Sequence, residues 1–113
     1  MTDTALALLE RFAQRDERGL LELCVGLEKW DRDKLCALLE ESVQLLRCAL
    51  CCAVGRTDET DARRQAAARQ AAGARSAREL TAAVDKLERL RTACGFHVGA
   101  GHLAGWMAAA LFS

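Results

Sequence analysis

The chain is 113 residues long, enough to bury one hydrophobic core and too short for two. Acids and bases balance at 16 each, so it lacks the overall cationic excess of most phosphate-binding chains, and its 51% apolar content excludes intrinsic disorder. Proline and tyrosine are absent and aromatics are sparse, whereas Ala, Leu, Glu, Gln and Arg dominate, which is the composition of helices rather than strands.

In chain order, residues 3–14 predict a first helix, with Leu6, Leu8, Leu9, Phe12 and Ala13 on one broad stripe and Asp3 as its N-cap. After the charged break Gln14-Arg15-Asp16-Glu17, residues 17–27 predict a second, with Leu20, Leu21, Leu23, Cys24 and Leu27 inward. Gly19 and Gly26 weaken it. Asp31 is placed to cap a third helix over 32–54, and Asp33 adds a favourable charge to its first turn. Its apolar residues (Leu35, Leu38, Leu39, Val43, Leu45, Leu46, Ala49, Leu50, Ala53, Val54) cover well over half its circumference. It is therefore expected at the centre of the bundle, ending at Gly55.

Residues 56–61 read as a polar linker with Thr57 or Asp58 as cap. An Ala- and Arg-rich fourth helix follows over 60–72 and is broken by Gly73. Ser76-Ala77-Arg78-Glu79 is a capping box opening a fifth helix over 77–94, with Leu80, Val84, Leu87, Leu90 and Cys94 at helical spacing. The connector Phe96-His97-Val98-Gly99-Ala100-Gly101 leads to a last helix over 101–112 with Leu103, Trp106, Met107, Ala110 and Leu111. The expectation is one all-α domain spanning 1–113, a bundle of five to six helices.

The six cysteines, Cys24, Cys36, Cys48, Cys51, Cys52 and Cys94, mostly lie within apolar helical patterns and are read as free, small core residues. The start Met1-Thr2-Asp3-Thr4 has no basic segment, so no secretory signal is expected. The chain is assigned to the reducing cytoplasm. No apolar run reaches the roughly 18 residues of a membrane span.

No phosphate-binding glycine loop and no nucleophile–base motif is present, so no catalytic residue and no cofactor are assigned. Two alternatives carry chemistry. Cys48 with Cys51 on one helix face, and Cys94 with His97 at a helix end, would together offer four ligands to zinc. A structural CxxC, however, usually sits in a turn rather than in mid-helix. Arg63, Arg64, Arg69, Arg75 and Arg78 would meet phosphate in a nucleic-acid-binding bundle, against the simpler reading of a solvated face that balances acids elsewhere. Trp30 and Trp106 are expected as anchors under loops.

Two segments together carry a resemblance. The first runs Leu20-Leu21-Glu22-Leu23, then Leu27-Glu28-Lys29-Trp30-Asp31-Arg32, then Leu45-Leu46-Arg47-Cys48-Ala49-Leu50. The second runs Leu87-Glu88-Arg89-Leu90-Arg91, then His97-Val98-Gly99-Ala100-Gly101. They resemble the C-terminal domain of the delta-prime subunit of bacterial DNA polymerase III, a part of the clamp loader. His97 stands where that family usually has Asn, and Cys48 where it often has Asp. The resemblance implies a helical collar domain without the AAA+ part of the family. Such a domain neither binds nor hydrolyses ATP, packs against the collar domains of other clamp-loader subunits and meets DNA only through the assembly. Leu103, Trp106, Met107, Leu111 and Phe112 supply surplus apolar surface and are expected at the subunit interface, with at least one apolar patch exposed in the isolated domain.

Overall fold

In a computed structural model, which describes residues 2–55, 62–93 and 100–112, the apolar periodicities fold into six α-helices. They are α1 (Thr2–Ala13), α2 (Glu17–Leu27), α3 (Arg32–Ala53), α4 (Ala62–Ala74), α5 (Ala77–Ala93) and α6 (Ala100–Phe112). No strand occurs among the described residues, and the all-α bundle is the observed fold. The expected linker at 56–61, with Thr57 and Asp58, and the connector residues 96–99 lie outside the described residues.

Helix ends follow local chemistry. Asp31 caps α3, its carboxylate accepting from the Lys34 amide at 2.8 Å. Gly55 follows the helix with φ +81°, a conformation that costs glycine little, and its amide donates to the Cys52 carbonyl at 3.1 Å. The capping box holds. Ser76 Oγ accepts from the Glu79 amide at 3.1 Å, and Glu79 Oε1 accepts from the Ser76 amide at 3.3 Å. Two expectations are corrected. Asp3 lies in the first turn of α1, because Thr2 is already helical, and its carboxylate pairs with Arg63 of α4 at 2.5 Å. Gly73 does not end α4, which runs through Ala74; the surrounding helix satisfies the backbone there at the cost of the glycine's lower propensity.

The α1–α2 link, read from sequence only as a charged break, is tightly built. The Asp16 amide donates to the Arg11 carbonyl at 3.0 Å and the Arg15 amide to that of Phe12 at 3.2 Å, with Arg15 at φ +57°. This is a Schellman ending with arginine where glycine is usual. Asp16 then turns round to cap α2, accepting from the Gly19 amide at 2.9 Å. Gly19 is buried here for a reason of space. A Cβ at this position would run into the Asp16 carboxylate and lie 2.7 Å from Arg11 Nε.

α3 packs against α1, α4, α5 and α6, and α2 lies against α6 and α1, so the long helix is central as its pattern requires. Leu35, Leu38, Leu39, Val43, Leu45, Leu46 and Ala49 are buried along it. Its last turn runs past its neighbours, leaving Leu50 half-buried and Ala53 and Val54 exposed. α4 approaches α3 and α1 through small residues, burying Ala68 and Ala71. Ion pairs cross the same seams: Arg64 of α4 with Glu41 of α3 at 2.5 Å, and Arg47 of α3 with Glu88 of α5.

The corner where α1 ends and α5 begins is joined by Arg75. Its guanidinium lies 4.2 Å from the centre of the Phe12 ring, donates through Nε to the Phe12 carbonyl at 3.0 Å, and pairs with Glu79 at 2.6 Å. Arg15 reaches the same carboxylate at 3.0 Å. The Arg75 hydrogen bond, then the Ser76 amide, hold the Glu79 carboxyl down at about 2. Because its folded-state value lies below its unfolded one, Glu79 contributes stability that is complete above the ordinary glutamate range. That contribution is lost as pH falls from there toward about 2. Urea midpoints at about pH 7 and about pH 3 are expected to differ less for Glu79→Gln than for the parent chain; an equal difference would refute the assignment.

Candidate interaction surface

α6 contains no Asp, Glu, Lys or Arg, and its polar side chains reduce to His102. A helix apolar all round is normally buried all round. α6 is not. Leu103, Ala104, Met107, Ala108 and Leu111 face the core, whereas His102, Gly105, Trp106 and Ala109 face outward. Trp106 is 45% exposed, and its ring leans on that of His102 with centroids 6.3 Å apart. A Cβ built on Gly105 meets nothing within 4 Å among the described residues, so the small residue serves no contact there.

α2 lies against α6, and its outer face presents Leu21, 49% exposed, and Val25, 61% exposed. Positions i and i+4 share a helix face, so these two stand one above the other beside the open Gly26. The two helices thus carry three of the four large apolar side chains exposed among the described residues; Val54 is the fourth.

The residues expected at a subunit interface divide. Leu103, Met107 and Leu111 are buried in the chain's own core, because the packing of α6 on α2, α3 and α5 takes up that side of the helix. Trp106 is on the surface rather than under a loop. The Phe112 side chain lies outside the described residues. Leu21 was expected inward, but Leu20, Cys24 and Leu27 define the buried line, and Leu21 is turned about 100° from Leu20 along the helix. That offset was the signal available in the sequence for Leu21, and Val25 shares its face. Trp30, by contrast, packs partly buried against the core, with Lys34 Nζ 4.1 Å from its ring centre.

Of the zinc set, Cys48 and Cys51 lie partly buried on α3, while Cys94 and His97 fall outside the described residues. No group of three or more His, Cys, Asp or Glu among the described residues is placed to hold a metal ion. Cys24, Cys48, Cys51 and Cys52 are in no disulfide, and burial pushes the Cys24 thiol up to about 11, making it a poor nucleophile. Cys36 is disulfide-bonded, against the reading of the cysteines as mostly small core residues in a reducing compartment. No helix among the described residues is long and apolar enough to cross a membrane. Of the arginines considered for phosphate, Arg63, Arg64 and Arg75 are taken by Asp3, Glu41 and Glu79. Arg69 and Arg78 remain exposed.

No family model matches the chain, and neither a curated protein nor a solved structure does.

The two sides of α6 are separable by mutation. Met107→Ala is expected to cost about 2–5 kcal/mol of stability, whereas Trp106→Ala is expected to cost under about 1 kcal/mol. Urea denaturation of the two variants checks this, and equal losses would contradict the surface placement of Trp106.

Proposed function

We propose that this chain is a non-catalytic assembly module that binds other helical proteins through the outer faces of α2 and α6. The observation that carries the reading is a surface helix without a charged residue, exposing Trp106 beside a neighbouring helix that exposes Leu21 and Val25. Exposed aromatic and aliphatic side chains on adjacent helices form the apolar centre of a protein–protein contact. Large aromatic anchors contribute disproportionately to such contacts.

The resemblance to the delta-prime collar makes the proposal more specific. On this reading the chain packs against the collar domains of other clamp-loader subunits during sliding-clamp loading in DNA replication, touching DNA only through the assembly. It needs no cofactor and performs no chemistry. The experiment is co-purification of the tagged chain with the clamp-loader subunits of its own cell. The wild-type chain is expected to retain them. Trp106→Glu and Leu21→Glu are expected to lose them with the melting temperature nearly unchanged. Absence of those subunits from the wild-type sample would reject the collar role, and equal retention by both variants would reject the surface.

The same reading assigns the chain to the cytoplasm, where glutathione keeps thiols reduced. The disulfide at Cys36 is the feature that opposes it. On the cytoplasmic reading the Cys36 bond is reduced in the cell, and acid-quenched protein, denatured and titrated for thiols, is expected to show six free thiols. A substantial oxidised fraction would move the chain to an oxidising compartment.

A further inference from the structure

Beside the Arg75 corner, between α5 and the end of α6, lies a cleft of about 150 Å³. That is roughly ten times the space a single ordered water requires. Phe12, Ala82 and Ala110 give it an apolar side; Arg75, Arg78, Lys86 and Glu79 give it a charged one.

The charged groups differ in how they are occupied. Arg75, with its side chain only 10% exposed, is fixed by the Phe12 carbonyl, the Phe12 ring and Glu79. Glu79 is held by Arg75, Arg15 and the Ser76 amide, so its negative charge is already matched within the chain. The start of α5 is likewise closed by its capping box and is not itself the binding group. Arg78 is different: it is exposed and engages no carboxylate among the described residues. Arg78, Ala82 and Lys86 stand at intervals of four along one side of α5, which puts the two cations about 12 Å apart along the axis with the smallest available side chain between them. With Glu79 matched by Arg75 and Arg15, the exposed Arg78 guanidinium leaves the lining electropositive.

We propose that this cleft binds a small organic anion, a phosphate or carboxylate head carried on a short aromatic or alkyl stem. The head is met by Arg78, and the stem lies over Ala82 toward Ala110. The proposal does not depend on the assembly role of α2 and α6, which lie elsewhere on the chain.

Calorimetric titration of the full chain with phenyl phosphate, against inorganic phosphate as control, tests it. Expected are saturable one-site binding of phenyl phosphate, weaker binding of inorganic phosphate, and affinity lowered about tenfold by Arg78→Gln, as loss of one charge-assisted hydrogen bond would give. Ala82→Leu, which fills the cleft, is expected to abolish binding. Both positions are exposed on α5, and a thermal melt of each variant verifies that it is folded. Absence of saturable binding would overturn the proposal. So would equal affinity for the two phosphates, which would mean charge attraction without a site, or an unchanged affinity in both variants.

Discussion

Leu35, Leu38, Leu39, Val43, Leu45 and Leu46 form a buried arc of about 160° on α3 at 100° per residue, too wide for a single neighbouring helix to cover. Each buried leucine is worth roughly 1.5–3 kcal/mol relative to exposure, which makes covering α3 from several directions the dominant demand on the fold. α1, α4, α5 and α6 meet it together. Once they are so used, the inward stripe of each is committed. Chemistry or recognition must then come from outer faces and from the corners where helices start and stop.

The corners are where polar groups perform structural work. Arg75 is the clearest case. It satisfies a carbonyl at the end of α1, stacks on the ring of the same residue, and fixes the carboxylate that closes the capping box of α5. One side chain therefore ties together two helices far apart in sequence. Arg15 adds a second cation to Glu79, from a left-handed conformation that costs an L-residue roughly 1–2 kcal/mol. Glycine would remove that cost and also the ion pair. The α4 arginines act similarly at lower stakes. Any phosphate approaching Arg63 or Arg64 must first displace Asp3 or Glu41.

Helix existence was legible, and so were the capped bounds, because apolar spacing and caps report on the same local geometry; the start of α1 and the end of α4 were misplaced. Asp31 and the Ser76–Glu79 box point to starts that the structure has, and the central position of α3 follows from its breadth of leucine. Outward faces were less legible. Leu21 looks like core by composition, and only its angular offset from Leu20, Cys24 and Leu27 separates it. Leu103, Met107 and Leu111 read as surplus apolar surface because a sequence does not say how many neighbours a helix will have. The Arg75 corner and its cleft were not legible at all, since Phe12 and Arg75 are 63 positions apart and meet only through the tertiary fold.

α5 and α6 sharpen the functional argument because both lie at the rim of the same bundle. α5 follows the usual rule for a surface helix, burying Leu80, Ala83 and Leu87 and offering Arg78, Asp85 and Arg89 to water. α6 buries a comparable inner stripe but sends Trp106, Ala109 and Gly105 outward without a single charged residue. Nothing among the described residues benefits from this. Gly105 costs about 1 kcal/mol against alanine in a helix interior, and there is open space where its side chain would be. Replacing the outer face with charged residues would be the simple route to a solvated helix. On the proposed reading, a face that is apolar, without a side chain at Gly105 and marked by one large aromatic ring suits close approach by another helix. The free energy that the exposed ring forgoes in the isolated chain is what the proposed contact would recover.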